Sequence, residues 1–352
     1  MTPRNRRLAY ALIAIAALVT VSFVFMQQQG RRQLNVLNWD FYIGKDTLSD
    51  FERDFDVRVN YEIYKDNEQC LAKIKANPNI YDVIFPSDYM IHIMKTEKLL
   101  AKLDHSRLKN LSNVGQEYRG NYYDMTENYS VPYMFGTTGF AINTEFVRDE
   151  NITWALLAEK PEYQNRISII DDLRFTLGSV LIEQGKSPNT RDKVDLDSAV
   201  SLLRKVRPNV KLFSADSPKD LLISGSIWIA YAWSGDTLQA QKGNPKVRYL
   251  IPKAGSLRFQ DGICIPKGAP HGDLAHEFIN YLLRDDVSAK ITNDILYGNT
   301  NKAAYGSIRL EIRNNPASFP APGDLQKLHW IEDVGESLKL YQNAWEEVKN
   351  DR

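Results

Sequence analysis

The chain has 352 residues, of which 43% are hydrophobic and 25% are charged, a composition close to the average of globular proteins. It therefore fits neither a disordered chain nor a membrane protein with many spans. Five arginines and no acidic residue lie in the first 32 positions, so residues 33–352 carry 39 basic and 44 acidic groups and a net charge of −5. A mildly acidic body argues against nucleic acid as a partner, because nucleic acid requires a basic face.

The N-terminal segment has the pattern of an export signal. Three arginines within the first seven residues precede an uncharged apolar run from Leu8 to Met26, and a polar stretch follows. This order is typical of a secretory signal peptide, although a run of 19 residues is also long enough to span a bilayer. The alternatives for residues 1–32 are thus a cleaved signal peptide and a retained membrane anchor. Both place residues 33–352 outside the cytoplasmic membrane, in the periplasm.

Strands and helices alternate after the apolar segment. Runs of apolar or alternating residues predict strands, and runs with helical spacing predict the helices between them, in the order strand 34–39, helix 46–55, strand 57–64, helix 67–76 and strand 81–87. Strands that alternate with helices at this spacing predict a parallel sheet with right-handed crossovers. Ligands bind at the carboxyl ends of such strands, which here are residues 38–40 and 85–89.

A second alternating region extends from about Phe140 to Pro252. The elements predicted there and beyond are strand 167–172, helices near 174–184 and 197–206, strands 226–233, 247–252 and 259–266, and a helix over 271–286. No flexible linker separates the two regions. This predicts two lobes joined by strand crossovers rather than independent domains on a tether.

Neither a metal site nor an enzyme active site is indicated. Cys70 and Cys264 lie in separate apolar segments, which favours two buried thiols over a disulfide. His271 and His276 are five positions apart, and no histidine pair has the spacing of metal ligands. The sequence contains no phosphate-binding glycine loop, no nucleophile elbow and no H-E-x-x-H helix. We therefore expect no cofactor and no catalysis.

Eight segments follow one another in a characteristic order: NWDFYIG, YDVIFPSDYM, VPYMFGTTGFAIN, RPNVKLFSAD, AYAWSGDTLQA, FQDGICIP, INYLLRDDV and ILYGNTNKAA. In these segments the chain resembles the periplasmic spermidine/putrescine-binding proteins, from about Leu34 to Trp330. The resemblance implies an α/β, two-lobed periplasmic binding protein fold of type II, with a polyamine clamped in the cleft between the lobes. On this basis we expect lobe one to comprise residues 33–140 and 258–305, and lobe two residues 141–257 and 306–352.

The resemblance also implies a set of ligand contacts at the matching positions. Ten positions agree with the family pattern, namely Trp39, Tyr42, Ser87, Tyr89, Asp172, Trp233, Asp236, Phe259, Asp261 and Tyr297. Two further candidates depart from it, because Asp40 stands where the family often has Ser or Thr and Phe175 where many members have a glutamate. Ile331 replaces an amide side chain of the spermidine-type members. These departures leave the preferred polyamine open.

The residue types suit a methylene chain that carries two to four ammonium groups. Carboxylates pair with the charges, ring faces make cation–π contacts, and flat aromatic walls cover the methylenes. Four acids would hold the charges, namely Asp40, Asp172, Asp236 and Asp261. Six rings would form the walls, namely Trp39, Tyr42, Tyr89, Trp233, Phe259 and Tyr297.

Several of these residues have a structural alternative. A tryptophan at the end of a strand, such as Trp39, is commonly a core residue. Asp172 precedes a predicted helix and suits its N-cap as well as a ligand. Tyr297 stands before a glycine, where a helix commonly ends. Phe175 fits either the cleft or the core of its helix.

Two biological roles use the same ligand-driven closure of two lobes. In the first, the protein is a monomer that delivers spermidine-like polyamines to the permease of an ABC importer in the inner membrane. In the alternative, it is a norspermidine or spermidine sensor that docks on a membrane signalling receptor controlling biofilm formation. The sequence contains no docking motif that selects between these partners.

Overall fold

Strands and helices follow each other in the predicted order in the computed structural model, which describes residues 31–215 and 218–350. The predicted signal peptide or anchor lies outside the described residues, apart from positions 31 and 32. The strands are β1 Arg32–Trp39, β2 Val57–Tyr64, β3 Val83–Ile84, β4 Ser130–Asn143, β5 Ile167–Ile170, β6 Val210–Ser214, β7 Ile229–Trp233, β8 Val247–Leu250, β9 Ser256–Cys264, β10 Gly298–Asn299 and β11 Leu328–Trp330.

Helices alternate with the strands along much of the chain. They are α1 Thr47–Phe55, α2 Asn67–Ala76, α3 Asp88–Thr96, α4 Trp154–Glu159, α5 Leu173–Glu183, α6 Lys193–Val206, α7 Lys219–Ile223, α8 Ser234–Gly243, α9 Gly272–Leu282, α10 Asp285–Ile295, α11 Leu310–Arg313, α12 Pro322–Leu325 and α13 Leu338–Asn350. Short 3₁₀ turns occupy His105–Arg107, Lys109–Asn113, Gln116–Tyr118, Pro161–Tyr163, Arg207–Asn209, Ala303–Ser307 and Gly335–Ser337. Within the described ranges, no helix has the length and apolar character that crossing a membrane requires.

The strands form one curled sheet with two parallel parts. Its order is β2-β1-β3-β9-β4-β7-β5-β6, with β8 and β10 paired to β4 and β11 paired to β9. β1 runs parallel to β2 and β3, and β5 runs parallel to β6 and β7, which confirms the predicted parallel pairing. The fold is α/β and of the predicted two-lobed type, with the two parallel parts joined through β4 and β9.

The strands β4 and β9 connect the two parts. The first half of β4 pairs antiparallel with β9, and its second half pairs antiparallel with β7. Gly136 is needed at this crossing, because a Cβ atom there would lie 2.5 Å from the ring of Phe259. No strand was predicted over these residues, whereas the structure contains a strand of 14 residues.

One predicted helix is divided in two. The sequence predicts a single helix over residues 271–286, but α9 ends at Leu282 and α10 begins at Asp285. Arg284 has extended backbone angles (φ −61°, ψ 141°) and its guanidinium pairs with Asp286 at 2.7 Å. Acidic side chains stabilise the first turn of a helix and destabilise its last turn, so Asp285 and Asp286 favour a new start here.

The buried apolar side chains include two large clusters. The first contains Leu37, Ile84 and Phe278, and the second contains Ile169, Tyr231 and Trp345. We propose that these clusters are the cores of the two lobes, with lobe one formed by residues 33–140 and 258–305 and lobe two by residues 141–257 and 306–352. The C-terminal helix α13 supports this division, since its buried residues join the second cluster. Cys70 and Cys264 are both buried free thiols.

Candidate ligand-binding cleft

A cavity opens at the carboxyl ends of β1 and β7, beside β9. It offers about 70 Å³ to the centres of water-sized molecules, whereas one water needs about 10–15 Å³ by this measure. The cavity therefore has room for a few waters or for a thin, unbranched chain. Eleven of the twelve predicted contact residues line it, namely Trp39, Asp40, Tyr42, Ser87, Asp172, Phe175, Trp233, Asp236, Phe259, Asp261 and Tyr297.

The aromatic residues form a continuous wall of rings that meet edge to face. Ring centroids are 4.8 Å apart for Phe175 and Trp233 and 5.4 Å apart for Trp233 and Phe259. The series continues through Tyr297, which lies 6.1 Å from Phe259 and 5.2 Å from Tyr42. Such a wall covers methylene groups with apolar surface and offers ring faces to cations.

Trp39, the other tryptophan among the predicted contacts, is fixed at the end of β1. Trp39 Nε1 donates to the carbonyl of Phe85 at 2.8 Å, and its ring lies 4.4 Å from that of Tyr64. The residue is half-buried and lines the cavity. It is therefore a wall residue as well as a packing residue, so the two alternatives weighed from the sequence coexist.

Asp261 on β9 is the most deeply placed carboxyl group of the cavity. The residue is 3% exposed, and its backbone forms a bridge with Ser87. Among the described residues, its Oδ1 has no hydrogen-bond partner. Burial raises the pKa of Asp261 to about 7, against the opposing influence of the Ser87 and Tyr42 hydroxyls. A buried carboxylate oxygen without a partner is costly unless a donor reaches it, so it marks a place for a cationic ligand group.

Asp172 caps a helix and also lines the cavity. Its Oδ1 accepts hydrogen bonds from the backbone of Arg174 at 2.9 Å and of Phe175 at 3.0 Å, at the start of α5. Burial raises the pKa of Asp172 to about 6, although these amides and the Arg174 guanidinium oppose the shift. The sequence left open whether Asp172 caps the helix or contacts the ligand. In the structure Asp172 caps α5 and also lines the cavity, so the two roles are compatible.

The two other acids lie nearer the mouth of the cavity. Asp236 is 8% exposed in the first turn of α8, with the Lys219 ammonium 3.8 Å from its Oδ1. Asp40 is half-buried after β1, and its Oδ1 accepts a hydrogen bond from the backbone of Phe41 at 2.9 Å. The four predicted acids thus surround one cavity, although they come from distant parts of the chain.

Two tyrosines differ from a role that the sequence suggested for them. Tyr89 does not line the cavity; it is buried, and its hydroxyl lies 3.4 Å from Glu68 Oε1. Tyr297 does not end a helix, since α10 stops at Ile295 and Leu296 takes the left-handed conformation. The ring of Tyr297 packs over Gly235, where a Cβ atom would lie 2.5 Å from it.

Six of the described residues that line the cavity were not predicted, namely Phe41, Lys65, Asn67, Asp171, Ala215 and Lys219. Phe41 stands inside the NWDFYIG segment, and its position between two predicted contacts was the available signal. Asp171 is engaged elsewhere, because it pairs with Lys349 at 2.8 Å and accepts from Trp345 Nε1 at 2.9 Å. No sequence signal pointed to the two lysines, since an acidic site was expected.

A cavity between two α/β parts joined by crossing strands defines a two-lobed solute-binding protein of the type II fold. The chain belongs to the family of bacterial extracellular solute-binding proteins, whose model matches residues 47–320. It is therefore a solute-binding protein and not an enzyme.

Relatives of known name cover nearly the whole chain. A spermidine/putrescine-binding periplasmic protein of Haemophilus influenzae is 33% identical over 314 residues, which are 88% of this chain and 87% of the relative. A putrescine-binding periplasmic protein of Escherichia coli is 32% identical over 372 residues, covering 99% of this chain and 100% of the relative. A solved structure described as a putative spermidine/putrescine ABC transporter from Listeria monocytogenes superimposes with a TM-score of 0.88 at 32% identity, covering 91% of this chain and 100% of that chain.

Proposed function

We propose that this protein clamps spermidine-like polyamines in the cavity between its two lobes and delivers them to an ABC importer from the periplasm. The observation that carries the proposal is Asp261, a buried carboxyl group in a cavity walled by rings, whose Oδ1 has no hydrogen-bond partner in the part of the chain that the structure describes. A sugar would require several fixed hydrogen-bond donors and acceptors, whereas an ammonium group needs this carboxylate and a ring face.

The charges of the cavity support a cationic ligand. Asp40, Asp172, Asp236 and Asp261 bring negative charge to one cavity, and Lys219 offsets part of it at Asp236. The rings between these acids would cover the methylenes that separate the ammonium groups. Because the acids come from both proposed lobes, a ligand that bridges acids of the two lobes binds the closed form best and shifts the population towards it.

The relatives support transport as the biological role. Their names concern spermidine and putrescine binding in the periplasm, and the similar structure is described as a putative spermidine/putrescine ABC transporter. A membrane-bound signalling receptor as the partner draws no support from these names. Gene neighbours distinguish the roles: transport predicts an ATPase and a permease beside the gene, and sensing predicts a membrane-bound cyclic-dinucleotide enzyme.

Triamines are expected to bind more tightly than the diamine putrescine. A third ammonium finds an acid that a diamine leaves unused, and one more pair at a partly exposed site is worth about 1 kcal/mol, or about fivefold in affinity. Calorimetric titrations with putrescine, spermidine and norspermidine measure the order. Tighter binding of putrescine would contradict this proposal of spermidine-like ligands while leaving polyamine binding intact.

A further inference from the structure

We propose that Lys219 is a built-in ammonium group that occupies the Asp236 end of the cavity and thereby selects polyamines with three charges over those with four. The inference rests on the proposed polyamine function and names a residue that sets its specificity. Lys219 lines a cavity that otherwise suits a cationic ligand.

Among the described residues, three different groups hold the Lys219 ammonium. It lies 3.8 Å from Asp236 Oδ1, donates to Gln239 Oε1 at 3.0 Å and stands 5.0 Å from the ring centroid of Phe41. A carboxylate, an amide oxygen and a ring face are also the groups that would receive the terminal ammonium of a polyamine. Lys219 therefore occupies a place with the chemistry of a ligand subsite.

Two of these groups are themselves held in place. Gln239 Nε2 donates to the carbonyl of Ile295 at 3.1 Å, which orients the amide oxygen towards Lys219. Asp236 is in the first turn of α8, where the helix favours its negative charge. The subsite is thus assembled before any ligand arrives, and Lys219 fills it from within the chain.

Phe41 provides the ring face from the opposite proposed lobe. Its φ of 49° lies in the left-handed region, which is unfavourable for a bulky side chain, and the residue is 67% exposed. The backbone amide of Phe41 donates to Asp40 Oδ1, which helps to fix this turn. The ring consequently stays at the mouth of the cavity and above Lys219, rather than packing into the core.

A further ammonium at this end would meet the charge of Lys219 at close range. The two cations would repel each other and would share Asp236, so the affinity for a tetraamine should suffer by about tenfold. Of the four predicted acids, Asp40, Asp172 and Asp261 remain for the ligand. Three acids match the three charges of spermidine and leave the fourth charge of spermine without a partner.

The test is the ratio of spermidine to spermine affinity in the full-length protein and in its variants, measured by calorimetry. We expect the wild type to prefer spermidine, and Lys219→Met, which keeps most of the aliphatic stem and removes the charge, to shift the ratio towards spermine by about tenfold. Phe41→Leu, which removes the ring face from the ammonium, should shift it in the same direction by a smaller factor.

Lys65→Met is the matched control, because Lys65 is the other described lysine that lines the cavity, and it follows β2 in proposed lobe one, whereas Lys219 and Asp236 belong to proposed lobe two. It should change the affinities for spermidine and spermine by the same factor. An unchanged ratio in Lys219→Met would overturn the inference alone. A wild-type protein that binds neither amine would overturn the inference together with the function on which it rests.

Discussion

Asp261→Asn is expected to weaken spermidine binding by about 30-fold to several-thousand-fold. Removing one partner of a buried charge pair costs about 2–5 kcal/mol, because the other charge stays desolvated without compensation. Asp261 is 3% exposed on a central strand, so water cannot replace the lost carboxylate. Asparagine keeps the shape of the side chain, which separates the charge from the packing.

The same substitution is expected to stabilise the ligand-free protein above pH 7. Burial raises the pKa of Asp261 from the ordinary 3.8 to about 7, so the folded protein keeps this proton to a higher pH than the unfolded chain does. Between these two values the folded state binds more protons, and its stability falls as the pH rises. This loss of stability is complete above the pKa that Asp261 has in the folded protein. Asparagine avoids the loss because it does not ionise.

Wild-type affinity should have the opposite dependence on pH. An ammonium group binds the ionised carboxylate, so the affinity should fall as the pH is lowered through about 7, where Asp261 gains its proton. Asp172 has a pKa raised to about 6 and extends the decline to more acidic solution. In Asp261→Asn the part of the decline near pH 7 should be absent.

Titrations with spermidine at pH 6 and pH 8 measure the effect on affinity. Denaturant unfolding at the same two pH values measures the effect on stability. Asp40→Asn is the matched control, because this half-buried acid at the mouth should cost about fivefold at most. Full spermidine affinity in Asp261→Asn would show that Asp261 does not face the ligand. Equal stability of the variant and the wild type at pH 8 would contradict the burial argument.

Phe175→Glu is expected to lower the free energy of unfolding by about 3–5 kcal/mol and to shift the order of amine affinities by several-fold. Phe175 is 2% exposed and packs against Trp233 and Phe259, so the new carboxylate loses ring packing and is buried among apolar groups. It also lies beside Asp172, whose charge repels it. An additional ligand ammonium would relieve this repulsion, which favours more highly charged amines.

Denaturant unfolding without ligand and titrations with putrescine, spermidine and norspermidine measure these two effects separately. Phe175→Leu is the control, since it removes the ring without adding charge and should cost about 1–2 kcal/mol. It should leave the order of the amines unchanged. An unchanged order in Phe175→Glu as well would mean that this position does not contact the ligand.

The local elements could be predicted because their patterns are strong. The strand over 57–64 alternates and the helix over 67–76 has helical spacing, and both occur with the predicted bounds. Parallel pairing followed from the alternation of strands and helices. β4 escaped prediction because it is buried along nearly its whole length, and a strand buried on both faces shows no alternation.

The prediction of the residues that line the cavity depended on the resemblance to the family, because these residues come from segments far apart in the chain. Asp261 and Trp233 gave no local indication that they share a cavity. Tyr89 shows the limit of this transfer, since the direction of a side chain in the first turn of a helix depends on its neighbours, here Glu68 and Arg174. The contact between Lys219 and Phe41 could not be predicted either, because it joins the start of α7 to the turn after β1 through space.

The central claim is that the cavity binds a cationic chain through its charges. The most direct measurement compares the binding of spermidine with that of triacetylated spermidine, which keeps the chain length but carries no ammonium group, with a neutral sugar as a further control. The account predicts that spermidine binds, and that neither the acetylated amine nor the sugar binds measurably at the same concentrations. Equal binding of spermidine and its acetylated form, or binding of the sugar alone, would contradict it.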